Sequence, residues 1–490
     1  MNVKKQSIFL ILLAALLVGF IGAYTAVKVT EPDMNTEQKQ DQVGKTKDNT
    51  EESAELSTEV PEDMTKVTQA YNLIQEHYVE DVDEKELLEG AIQGMLETLD
   101  DPYSTYMDVE SMENFNEQIE SSFEGIGAEV SMVNGQVTII APIKDSPAEH
   151  ASLKPNDQIL SIDDEDLKGL DLNEAVEKIR GEKGSEVTLE IKRPGVSDPF
   201  NVVVTRDKIP LETVYSDLQT IDGKKTGILE LTSFSETTAD DFAKELEKLE
   251  AKNIEGLVID VRGNPGGLLD AVEEIMEHFI TKDQPYVQIE DKSGDKQPYF
   301  SSLSEEKEYP INVLIDEGSA SASEILAVAM KETDHEIIGE TSFGKGTVQQ
   351  AVPLGDGSTI KLTFFKWLSP KGTWIHEDGV EPTIEKKQPD YYYTNPVQLD
   401  KTLEFDDTNE DIKNVQIMLI GLGYETDRKD GFFDKDTEKS VQSFQEDHDL
   451  KVTGKIDEKT AGSIEAEIID KIRNGEDDKQ LEEALDVLYK

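Results

Sequence analysis

Cysteine is absent from this 490-residue chain. Its absence excludes disulfides, thiolate metal sites, a cysteine nucleophile and lipid attachment through an N-terminal cysteine. Positive charge is scarce, with 48 Lys and Arg against 105 Asp and Glu and a formal net charge of −57. Nucleic acid is excluded as a partner on that ground, because phosphate contacts need clustered cations. Histidine occurs six times, at His77, His150, His278, His335, His376 and His448. None sits beside a glycine-rich turn of the kind that holds a triad base, so a Ser-His-Asp arrangement has little support. His335, between two serine- and lysine-bearing segments, is the one that stays under suspicion.

Long apolar runs are also scarce, with one exception. Ile8–Val27 is free of charge and follows Lys4 and Lys5. It is long enough to cross a bilayer with the N-terminus inside and the rest of the chain outside the cytoplasm. A cleaved signal segment, giving a secreted protein, is the competing reading. Residues 31–63, rich in Glu, Asp, Thr, Lys and Gln, cannot bury a core and read as an acidic flexible linker. Residues 64–114 read as helical, with Val67, Tyr71, Ile74 and Tyr78 at helical spacing. Such a stripe is either core or the face of a homodimer.

Two segments carry the most chemistry. Gly318-Ser319-Ala320-Ser321-Ala322-Ser323-Glu324 follows a short apolar stretch, Tyr309–Ile315, that reads as a buried strand, and opens a helical stretch. A serine at a strand-to-helix junction is exposed, and the free N–H groups of the helix start can face a developing oxyanion. Further on, Phe343-Gly344-Lys345-Gly346-Thr347-Val348-Gln349 offers a lysine that could take the serine proton. A lysine does so only as the neutral amine, which requires a pKa moved from about 10.4 toward roughly 7 to 8, a cost of about 4 kcal/mol that burial can supply. Gly339 to Lys345 also approximates a phosphate-binding loop. That match fails at Gly346, where Ser or Thr is needed for magnesium. No motif calls for a cofactor or a metal.

A second glycine turn supports acyl chemistry. The apolar run Ile254 to Val261 leads through Arg262 into Gly263-Asn264-Pro265-Gly266-Gly267 and a helical stretch from about Leu268 to Ile280. Glycines there let backbone N–H groups approach a ligand with no Cβ in the way.

Together, D-V-R-G-N-P-G-G, G-S-A-S-A-S-E-I-L-A and G-E-T-S-F-G-K-G-T-V-Q resemble the carboxyl-terminal processing, or tail-specific, serine peptidases, over most of residues 64–390. The resemblance implies Ser321 as nucleophile, Lys345 as general base and Gln349 as the group that orients the lysine. It puts the oxyanion donors on the N–H groups of Gly266 or Gly267 and Ala322. Spacing alone leaves Ser319 and Ser323 open as alternatives to Ser321.

Residues 115–208, with S-P-A-E, L-K-P-N-D-Q-I-L-S-I-D and I-R-G-E-K-G-S, resemble a PDZ domain. Such domains take a peptide C-terminus as an added strand and hold its carboxylate on backbone N–H groups. The resemblance places that loop at Gly125-Ile126-Gly127. Arg180 is either a cation at a helix end or a reader of peptide occupancy. Near the C-terminus, Asp430-Gly431-Phe432-Phe433-Asp434-Lys435-Asp436-Thr437 and Thr453-Gly454-Lys455-Ile456-Asp457-Glu458-Lys459-Thr460 repeat one phrase. The repeat resembles a peptidoglycan-binding domain, with a protein-protein module as the alternative.

The expected fold is multidomain, α/β and α+β. It has a membrane segment at 1–30, a linker at 31–63, a helical region at 64–114, an inserted PDZ domain at 115–208 and an α/β serine peptidase core at 209–392. A linker at 393–407, a small all-α wall-binding module at 408–470 and a charged helical tail at 471–490 complete it. The expected substrates are proteins with flexible C-terminal tails, and cell-wall peptidoglycan is the expected second partner. A non-catalytic PDZ and wall-binding scaffold is the alternative from another class.

Overall fold

The computed structural model describes residues 62–490 apart from 134 and 164. The expected membrane segment and all but the last two residues of the expected acidic linker therefore lie outside the described residues. Among the described residues no helix is long and apolar enough to cross a membrane.

The chain divides into two compact units, one of residues up to 114 with 348–364 and the other of 115–347 with 365–490. In the first, helices Thr65–His77 and Glu84–Glu97 are followed by the strand Thr105–Met107. That strand pairs antiparallel with Thr359–Lys361 of a second strand, which also pairs with the strand carrying Gln349. Helix Thr65–His77 buries none of its residues, and Val67, Leu73, Ile74 and Tyr78 are exposed. The helical spacing of that stripe thus marks an open face, not a core.

In the second unit a six-stranded sheet has the order Val214–Ile221, Lys224–Leu231, Gly256–Asp260, Ile311–Ile315, Glu336–Gly339 and Ile384–Glu385. The first pair is antiparallel and the remaining neighbours are parallel. Every residue of Gly256–Asp260 and Ile311–Ile315 is buried, as expected for parallel strands covered on both faces. Ligand sites in such sheets gather beyond the carboxyl ends of the strands. Here three adjacent strands end in the glycine turn, the serine turn and the lysine loop.

The tail is helical, as its charge pattern suggests, but it is not merely a solvated segment. Helix Lys479–Val487 brings Ala484, Leu485 and Leu488 against Ile228, Val258, Leu314 and Ile338 of this six-stranded sheet. Asn312 donates to the Ala484 carbonyl at 2.7 Å, and Arg262 bridges Asp260 and Asp478 at 2.6 and 2.8 Å. Charge dominates the composition of this stretch, and its few apolar residues share one face.

The PDZ-like sheet has the order Ala128–Val133, Gln136–Pro142, Gln158–Ile162, Glu186–Lys192 and Phe200–Thr205, around a core of its own. Helix Leu172–Ile179 is closed at its start by an Asp171/Glu174 capping box. The C-terminal module packs helices Glu410–Gly421, Lys435–Asp447 and Glu458–Arg473 around Ile412, Leu419, Phe433, Phe444 and Ile464. Its sequence repeat is a structural one. Asp434 and Asp457 cap the second and third helices, each accepting from a threonine three residues on. A buried glutamine on the preceding helix, Gln416 or Gln445, accepts from the N–H of Gly431 or Gly454.

Candidate active site

The serine turn joins the buried strand Ile311–Ile315 to helix Ala322–Glu332. Ser321, just before the helix, has φ 53° and ψ −108°, a left-handed conformation that costs a non-glycine residue about 1–3 kcal/mol. The flanking serines are spent on structure. Ser319 Oγ donates to the Val261 carbonyl and Ser323 Oγ to the Asn264 carbonyl, each at 2.8 Å, and both residues are fully buried. Ser321 is half-buried.

The glycine turn is tied to the serine turn by polar side chains. Asp316 accepts from the N–H groups of Gly263 and Gly318 at 2.7 and 3.0 Å. Asn264, fully buried, donates to the Leu231 carbonyl and accepts from the Gly266 N–H, each at 2.8 Å. The Gly266 N–H is therefore spent inside the turn. Gly267, at φ +148°, could not carry a side chain, since a Cβ would lie 1.8 Å from the Phe234 carbonyl oxygen.

Lys345 is 2 % exposed. Its loop follows Gly339, the last residue of a parallel strand, and a carboxylate that the motif reading assigned no role organises it. Glu324, fully buried in the first turn of the serine helix, accepts on one oxygen from Ser342 Oγ and the Gly344 N–H, both at 2.6 Å. On the other oxygen it accepts from the N–H groups of Ser321 and Lys345, both at 2.8 Å. One atom thus holds the backbones of both residues. Burial pushes this carboxyl up, and the four donors oppose that shift. The sequence signal was available, since S-x-x-E at a helix start is a capping pattern.

His376 was missed as well. Its Nδ1 accepts from the Gly346 N–H at 3.3 Å, although it lies 31 residues beyond the lysine in the chain. His335 lies beyond the far end of helix Ala322–Glu332, about 16 Å from its start, and burial holds its ring below the usual histidine range. That placement removes it as a partner for Ser321.

Gln349 belongs to the other unit, on the strand Thr347–Pro353. Its side-chain N–H donates to Thr363 Oγ1 at 3.0 Å, while the Thr363 N–H donates to Ser104 Oγ at 3.0 Å. In the PDZ-like part, the carbonyl of Ile126 accepts from Ala148 and that of Gly127 from Ile143. Arg180, directly after its helix, pairs with Glu117 at 2.9 Å and lies over the Phe123 ring. The described residues hold no group of His, Asp and Glu that could bind a metal ion.

The chain is 54 % identical over 438 residues to the carboxy-terminal processing protease CtpB of Bacillus subtilis, covering 89 % of this chain and 91 % of the relative. It belongs to the carboxy-terminal processing proteases of peptidase family S41. The family model itself matches residues 225–386, and models of the CtpB N-terminal domain, a PDZ domain and a putative peptidoglycan-binding domain match 16–111, 138–193 and 408–464. CtpA of the same organism is 41 % identical over 87 % of this chain and 90 % of its own. Among solved structures, the photosystem II D1 C-terminal processing protease matches 67 % of this chain and 94 % of its own, at 26 % identity and TM-score 0.42. The S41 chain described here is a serine-type peptidase.

Proposed function

We propose that this peptidase works by a Ser-Lys mechanism. Ser321 Oγ attacks the scissile carbonyl while the neutral amine of Lys345 takes its proton. The tetrahedral oxyanion is met by the N–H groups of Gly267 and Ala322, leaving Gly266 to hold the turn. The lysine ammonium then protonates the departing amine, and water, deprotonated by the same lysine, releases the acyl chain from Ser321. Gln349 orients the lysine. The burial of Lys345 carries this reading, because a desolvated amine is favoured in its neutral form. Lys345→Arg keeps the charge and cannot act as a base. Appreciable hydrolysis by that variant would sink the mechanism.

The substrates are proteins presented by flexible C-terminal tails, with the terminal carboxylate held at Gly125-Ile126-Gly127. A substrate with a free C-terminus should be cut faster than its amide, and equal rates would remove the carboxylate from recognition. Arg180 reads occupancy from its place beside Glu117 and Phe123. Arg180→Ala should lose turnover while still binding tail peptides, and parallel loss of both would leave it a helix-end cation.

Residues 8–27 anchor the chain with its catalytic part outside the cytoplasm, where the C-terminal module binds peptidoglycan. The exposed face of helix Thr65–His77 is covered by a second copy of the chain, so sedimentation of residues 31–490 should give a dimer. Mapping product ends from unfolded proteins by mass spectrometry tests the peptidase reading as a whole.

A further inference from the structure

The lysine loop lacks the ladder of hydrogen bonds that holds a strand in place. Strand Glu336–Gly339 ends before it and strand Thr347–Pro353 begins after it. Even so, the four backbone polar groups of residues 345 and 346 are all engaged, each by a side chain. The Lys345 N–H donates to Glu324 at 2.8 Å and its carbonyl accepts from Trp367 Nε1 at 2.8 Å. The Gly346 N–H donates to His376 Nδ1 at 3.3 Å and its carbonyl accepts from Trp374 Nε1 at 2.7 Å. These are the chain's two tryptophans, and they end on consecutive carbonyls.

The two indoles differ in setting. Trp367 is fully buried and belongs to the core, whereas Trp374 is 40 % exposed. Trp374 stacks on His376 with ring centroids 5.0 Å apart, and the Lys366 ammonium lies 4.4 Å from its ring centroid. Residue 346 is glycine because nothing larger fits against this pair. A Cβ there would lie 2.8 Å from Trp374 Nε1 and 2.9 Å from the His376 backbone nitrogen. The residue that breaks the resemblance to a phosphate loop is thus the one that admits the tryptophan.

We propose that Trp374 is a positioning residue for the catalytic base, fixing the peptide after Lys345 through the Gly346 carbonyl and so aiming the lysine amine. A lysine side chain has no rigidity of its own, and its aim depends on the backbone frame from which it leaves. An aim displaced by an ångström costs up to about 100-fold in rate. The proposal rests on the Ser-Lys reading above.

The test is Trp374→Phe in the full chain. It removes the N–H and keeps a ring against His376 and Lys366. The Gly346 carbonyl retains the Trp367 backbone N–H at 3.2 Å, so it is not stranded. The expected result is a kcat lowered about 10- to 100-fold, with KM and melting temperature unchanged and inactivation by a serine-directed fluorophosphonate slowed in step. Wild-type kcat, or a rise in KM accompanied by a fallen melting temperature, overturns the proposal. Lys345→Arg, run alongside, separates the two readings. If it is active the Ser-Lys mechanism fails, and if it is inert while Trp374→Phe is wild-type, only the positioning role fails. Should Trp374→Phe not fold, tryptophan emission of the unaltered protein decides. Emission should shift as the fluorophosphonate occupies Ser321, and an unchanged spectrum counts against the role.

Discussion

Two glutamates on helices that follow the glycine and serine turns differ in setting, Glu324 being fully buried and Glu273 half-buried. Glu324 lies in the first turn of helix Ala322–Glu332, and four donors occupy its two oxygens. Glu273 is the fifth residue of helix Leu269–Met276, and its Oε1 is sealed from solvent with no hydrogen-bond partner among the described residues. The cause is position. N–H groups in the first turn have no partner within the helix and are open to a side chain, whereas by the fifth residue every N–H is spent on the ladder. Burial raises both carboxyls, and at Glu273 the charges of Asp270 and Glu277 add to it, bringing the group to about 7. Both carboxyls are raised, and the difference is that four donors oppose the shift at Glu324 whereas the Tyr286 hydroxyl alone does so at Glu273.

The largest expected effect lies at the groups that Glu324 joins. Ser321→Ala should lower kcat by about 10⁴-fold or more and leave folding intact. Ser319→Ala and Ser323→Ala should each retain activity, since their hydroxyls only tie the turn. Steady-state hydrolysis of a tail peptide checks all three.

Glu324→Gln is the next break in the comparison. All four contacts at this site are donors, so an amide NH₂ would face N–H groups. A kcat loss of at least about 100-fold and a stability loss of about 3–5 kcal/mol are expected, with Glu324→Asp intermediate. Activity near wild-type in Glu324→Gln would show that activity does not depend on the carboxylate's hold on the Ser321 and Lys345 backbones.

Glu273→Gln should do the reverse. Its folded pKa is raised, so its contribution to stability is fully present below the unfolded value near 4.5 and is lost as pH rises through about 7. The neutral amide escapes that loss. The variant should match wild type at pH 4.5 and exceed it by about 2 kcal/mol at pH 8, a figure discounted for partial exposure. Melting curves at the two pH values measure it, and a variant less stable than wild type at pH 8 would contradict the comparison.

How far the site could be read from the chain depended on distance along it. Ser321, Lys345 and the glycine turn stand in short blocks whose local geometry follows from strand, glycine and helix-start signals. Glu324 was legible in principle through its capping pattern, but its hold on Ser342, Gly344 and Lys345 required the next parallel strand to lie alongside. His376 and Trp374 come some thirty residues after the lysine, and nothing local marks them. That the Asn264 side chain takes up the Gly266 N–H was not legible either.

By itself the sequence determined which chemistry was available. No cysteine, few cations, one long apolar run and the Ser, Lys and Gly-Gly blocks left an acyl-transfer enzyme built on an α/β sheet, because residue types and turn signals act locally. The tertiary structure alone decided that the charged tail would cover the peptidase sheet and that Glu324, His376 and two tryptophans would hold the lysine loop. Those outcomes depend on groups far apart in sequence sharing one desolvated space, where an unmatched donor or acceptor is too costly to leave.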